Sequence, residues 1–102
     1  MTYIKLGAVR AFPRVAPDKA HALKPLEEAA EVFGAWQLMR GAAEYGLNPK
    51  HKKADLMDEI ADTIQACCNL AAALGVEDMT TYLARCEERN RKRGRYGEGE
   101  PK

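Results

Sequence analysis

Three cysteines are too few and too awkwardly placed for a disulfide framework. Cys67 and Cys68 are adjacent within an apolar run, Cys86 stands apart, and none has metal-ligand spacing. Reduced, partly buried thiols of a cytoplasmic protein are the expectation. Long hydrophobic runs are missing too. The longest uncharged stretch, Thr63 to Val76, is too short to cross a bilayer and contains Gln65 and Asn69. The first residues lack the apolar stretch of a signal peptide, so no membrane partner is expected. An excess of one charge is absent: 16 Lys and Arg face 15 Asp and Glu. No global field then favours nucleic acid. The two histidines, His21 and His51, share no ligand spacing. Repeats of solenoid length are absent, and no alternating strand pattern survives beyond the first few residues. A chain of 102 residues holds one small domain, residues 1–102, marginally stable as a single copy.

What the chain does have is helical periodicity and unevenly placed charge. Residues 1–24 read as an irregular N-terminal segment, in which Tyr3, Ile4 and Leu6 suit a short extended piece. Pro13 and Pro17 punctuate the rest of that segment, and Asp18 suits the opening of a brief helical turn. A first helix is expected from Pro25, whose missing N–H is harmless at the first helical position, to about Tyr45. Leu26, Ala30, Phe33 and Leu38 or Met39 form its apolar stripe, and Gly46, Asn48 and Pro49 end it. Lys50, His51, Lys52 and Lys53 read as a basic loop before a second helix, roughly Ala54 to Leu74. In that helix Leu56, Ile60, Ile64, Cys67 or Cys68, Ala71 and Leu74 recur at steps of three and four. Gly75 supplies its stop. A third helix is expected from about Asp78 to Arg93, and a disordered tail from Gly94 to Lys102.

The fold class is therefore all-α, a helical bundle. The second helix is apolar nearly all round from Thr63 to Leu74 and needs more than one neighbour to cover it. A second copy of the chain completing a four-helix core is the simplest cover, and the first 24 residues folding back are the alternative.

The acids carry the chemistry. Asp55 to Asp62 contains four acids and no base, whereas Arg85 to Arg95 contains six Lys or Arg. Glu28 and Glu31 are three residues apart, hence about 60° apart on one helix face. Glu59 and Asp62 repeat that step on the next helix. Two antiparallel helices can bring the pairs together, and four carboxylates so placed repel unless a cation sits among them. A hard divalent cation such as Mg²⁺ suits an all-oxygen donor set. The bland alternative, acids in early helical turns facing solvent and complementing the helix dipoles, stays open at this point.

The segments E-E-A-A-E (Glu27 to Glu31) and D-E-I-A-D (Asp58 to Asp62) resemble the paired E-x-x-E and E-x-x-D signatures of the all-α nucleoside triphosphate pyrophosphohydrolases. MazG-like proteins belong to that superfamily. The resemblance extends through the apolar helix, the turn A-L-G-V-E-D-M (Ala73 to Met79) and Asn90 with Arg93, so it covers roughly residues 24–94. It implies a MazG-like bundle in which Glu28, Glu31, Glu59 and Asp62 hold Mg²⁺, with Mn²⁺ a possible substitute. Glu27 would position or deprotonate the attacking water. Asn90 and Arg93 would contact phosphate or ribose, and attack at the α-phosphorus would release pyrophosphate. Lys24 and Asn69 are further candidate substrate-binding residues. Many MazG-like sequences carry a lysine one turn before the asparagine, where this chain has Cys86. Arg85, Arg89 or the lysines at 50, 52 and 53 would then take over phosphate contacts.

Gln65 and Asn69 continue the helix line of Asp62, either reading a base or serving as interior amides. Trp36, Tyr45, Phe12 and Tyr3 are the aromatic residues able to stack on a base, though each also fits a core. The expected function is thus Mg²⁺-dependent nucleotide pyrophosphohydrolysis by a homo-oligomer. Phosphoribosyl-ATP pyrophosphohydrolase is the second enzyme reading, and a helical interaction module with a basic C-terminal helix is the non-enzyme rival.

Overall fold

The computed structural model describes residues 2–47 and 50–97. It contains three helices, α1 (Lys19–Glu44), α2 (Lys50–Ala73) and α3 (Thr80–Lys92), and no strand among the described residues.

Helix α1 begins one and a half turns before Pro25, which lies inside it. The reason is local. Asp18 has extended backbone (φ −112°, ψ 175°), and its carboxylate accepts the His21 N–H at 2.9 Å, closing an N-cap. The His21 ring lies 2.7 Å from the same oxygen. Pro25 then costs only the N–H that the His21 carbonyl would have received. Residues 50–53, expected as a loop, form the first turn of α2; lysine is a good helix former and nothing there breaks a helix. Asn48 and Pro49, expected to end α1, lie outside the described residues.

All three helices end in the same way. Gly46 (φ +71°) donates to Ala43 O at 3.1 Å while Leu47 N–H reaches Ala42 O at 2.9 Å. Gly75 (φ +80°) and Val76 repeat the pattern on Ala72 and Ala71, and Gly94 with Arg95 does so for α3. A left-handed residue followed by a six-to-one hydrogen bond satisfies the last carbonyls, and glycine takes that conformation without a Cβ clash. Of the tail expected to be disordered, residues 94–96 belong to this closing turn, and 98–102 lie outside the described residues. Helix α3 starts two residues after Asp78, whose carboxylate accepts the Thr80 N–H at 2.9 Å.

Helices α1 and α2 pack antiparallel: residues 31–38 of α1 face residues 59–52 of α2 across one cavity. Helix α3 packs on neither of them. Residues 2–17 have no regular structure; residues 6–12 run along the second half of α2, while Thr2, Tyr3 and Ile4 lie beside Glu87, Arg91, Arg95 and Tyr96 at the end of α3. Leu6 to Val9, with Ala11, share a cavity of about 530 Å³ with Ile64, Cys68, Ala71, Met79 and Leu83. The N-terminal segment thus supplies part of the cover that the apolar half of α2 requires.

The enclosed core is small. Leu56, Ala66 and Asn69 are the buried residues among those described. On α1, Leu26, Phe33 and Leu38 remain 69%, 58% and 63% exposed. No helix among the described residues is long and apolar enough to cross a membrane.

Candidate metal centre

The antiparallel pairing of α1 and α2 brings the two three-residue steps together. One carboxylate oxygen each from Glu28, Glu59 and Asp62 lie within 4.8 Å of one another. Glu31, one turn along α1, is not among these three converging groups, but its carboxyl interacts with those of Glu28 and Glu59. Hydrogen bonding to Glu28 and the charge of that carboxylate hold the Glu31 carboxyl above the usual glutamate range, with burial and Glu59 adding to the effect. Glu28 moves the other way. It accepts a hydrogen bond from Glu31 and an ion pair from Lys24 Nζ at 3.2 Å, so its carboxyl titrates below the usual range. Two acids this close cannot both ionise at no cost, and the cost falls on Glu31, the member of the pair whose carboxyl is raised.

Glu59 carries the second sign of incompleteness. Its Oε2 is buried and has no hydrogen-bond partner among the described residues. An orphaned carboxylate oxygen is costly, and a cation or a proton removes the cost. The donor set is all oxygen and anionic, which fits Mg²⁺ or Mn²⁺ rather than a thiol-seeking metal.

The other site residues expected from sequence are distributed unevenly. Lys24 sits at the edge of the cluster, bridging Glu28 at 3.2 Å and Glu27 at 3.5 Å. The Glu27 side chain is 62% exposed and stays outside the converging oxygens, while that of Glu28 is only 12% exposed. Asn69 is buried, and its Oδ1 accepts both the Phe12 N–H at 3.0 Å and Gln65 Nε2 at 3.0 Å. It is therefore an interior amide that holds the N-terminal segment. Asn90 and Arg93 lie on α3, away from the α1–α2 pair. Asn90 Nδ2 faces Cys86 Sγ at 3.5 Å, and its Oδ1 accepts Arg95 Nη1 at 3.1 Å. Arg93 ends the helix, its backbone N–H on Arg89 O. Within one chain neither reaches the carboxylates.

No family model matches the chain. No curated protein and no solved structure matches it either.

Further charged residues adjoin the cluster on the opposite side. A cavity of about 480 Å³ is lined by Glu31, Glu59, Lys52, Asp55, Asp58 and the α1 stretch from Gly34 to Leu38. Asp55 precedes Glu59 by one helical turn, a spacing visible in the sequence. Lys52, expected among the loop lysines that would contact phosphate, stands instead on the first turn of α2.

Proposed function

We propose that the chain is a Mg²⁺-dependent nucleotide pyrophosphohydrolase of the all-α, MazG-like kind. The observation that carries this reading is the convergence of Glu28, Glu59 and Asp62 within 4.8 Å, on the two helices whose spacing resembles the paired signatures. Glu28, Glu59 and Asp62 would hold the ion, and Glu31 would complete the set. Mg²⁺ bound there would link phosphate oxygens and offset the charge that develops on them.

The remaining steps belong to the chain. Water adds to the α-phosphorus, the bond from that phosphorus to the bridging oxygen breaks, and pyrophosphate leaves with that oxygen. Glu27, exposed beside Glu28 and outside the converging oxygens, is the base for the water. Lys24 is placed to exchange its carboxylate partners for a phosphate. Asn90 and Arg93 would come from a second copy of the chain, since their own α3 stands off the site. The exposed apolar residues of α1 and α2 would then form the interior of a shared four-helix core.

A screen of nucleoside triphosphates and phosphoribosyl-ATP with Mg²⁺, scored for monophosphate and pyrophosphate, tests the proposal. Metal-dependent release of pyrophosphate from a nucleoside triphosphate is the expected result. Release from phosphoribosyl-ATP alone would select the second enzyme reading. No release from any of them would leave the interaction module.

A further inference from the structure

We infer that the N-terminal segment is a wall of the substrate site and that its Arg10 and Arg14 bind the phosphate chain of the nucleotide; this rests on the pyrophosphohydrolase reading. The segment is irregular, yet it is pinned by side chains more than fifty residues away. Gln65 Nε2 donates to Arg10 O at 2.9 Å across 55 positions. The Phe12 N–H donates to Asn69 Oδ1 at 3.0 Å across 57. Gln65 and Asn69 are themselves joined at 3.0 Å, so the two clamps act as one unit. A chain that devotes a buried asparagine to holding a loop backbone is fixing that loop in place.

The place matters. At about 100° per residue, Gln65 and Asn69 lie about 60° and 20° from the direction of Asp62 on α2. At 1.5 Å per residue they lie about 4.5 and 10 Å farther along the axis. The segment therefore crosses α2 on the line of a metal-site carboxylate, one to two turns beyond it. It then enters α1 at Lys19, the end of that helix nearer Glu28.

Charge decides what the segment supplies. A triphosphate approaching four carboxylates needs more positive charge than one divalent ion brings. Lys24 supplies one cation at the edge of the cluster, where Glu27 and Glu28 already neutralise it. Within one chain the cations of α3 stand off the α1–α2 pair, and Lys52 lines the cavity at the opposite end. Arg10 and Arg14 are exposed, make no ion pair among the described residues, and sit on the clamped segment. A guanidinium fork suits two phosphate oxygens at once.

The experiment uses the full chain with inorganic tripolyphosphate and Mg²⁺ in calorimetry, alongside nucleotide hydrolysis. Arg10→Ala/Arg14→Ala should weaken tripolyphosphate binding about tenfold or more, as loss of charge-assisted hydrogen bonds implies. KM should rise by a similar factor with kcat little changed, and Lys5→Ala should alter neither. Thermal stability should hold, since neither guanidinium pairs within the fold. Wild-type affinity and KM in the double variant would overturn the inference and leave the pyrophosphohydrolase reading standing. A wild-type chain that neither binds tripolyphosphate nor hydrolyses any nucleotide overturns both.

Discussion

At the scale of single residues, the four carboxylates define the molecule. Glu59 Oε2 is buried without a hydrogen-bond partner among the described residues, and hydrogen bonding to Glu28 holds the Glu31 carboxyl above the usual glutamate range. Replacing Asp62 or Glu59 by alanine is expected to cost orders of magnitude in metal-dependent turnover. The metal-free melting temperature should be unchanged or higher, because each removal relieves like-charge crowding. Activity assays paired with thermal melts check this, and full activity in either variant would remove the ligand assignment. The pH dependence has two windows. Glu31 binds its proton more tightly folded than unfolded, so it stabilises the metal-free fold as pH falls through its raised value and weakens it as pH rises. Glu28 is depressed, so its contribution is present above the ordinary glutamate range and lost as pH falls through the folded value. Metal-free wild type should therefore gain a Glu31 contribution to melting temperature as pH falls through the raised Glu31 value, a gain that Glu31→Gln abolishes. Mg²⁺ should stabilise the wild type by offsetting the crowded carboxylates. Identical pH profiles for wild type and variant would contradict the raised Glu31 value.

At the scale of elements, short-range chemistry and long-range clamps divide the work. The stops at Gly46 and Gly75 are legible in sequence because a left-handed terminus needs a residue without a Cβ. The start of α1 was also local, but Pro25 drew attention from the stronger signal at Asp18, an N-cap that tolerates a proline farther in. Asn69 belongs to the other category. Nothing near it in sequence announces Phe12 as its partner. Asn69→Ala leaves the Phe12 N–H without its acceptor, which should cost roughly 1–3 kcal/mol. Chemical denaturation measures that loss, and amide exchange at Phe12 should accelerate while the middle of α2 stays protected. Unchanged exchange at Phe12 would show that the clamp does not order the segment.

At the scale of the whole molecule, one copy looks like half of something. Its radius of gyration is 16.8 Å, against about 13 Å for a compact domain of 100 residues. Its thinnest dimension, 23 Å, is two helices deep. Leu26 and Phe33 share a line on α1 and stay exposed, with Phe33 stacked on Trp36 at 5.8 Å between centroids. Contiguous apolar surface of this kind is uncommon on a monomer. A homo-oligomer is the expected state, and Phe33→Asp should shift it toward single chains. Light scattering at micromolar concentration reads this directly. A stable 11.3 kDa species in the wild type would rule the assembly out.

The sequence by itself determined the helices, their glycine stops and the pairing of two acidic steps, because each depends on residues within a turn or two and one short connection. Tertiary structure alone decided that Asn69 holds a backbone, that α3 stands off the α1–α2 pair, and that residues 6–12 lie on α2. Those outcomes depend on contacts more than fifty positions apart, where the chain has many possible paths and only the packing of the whole selects one.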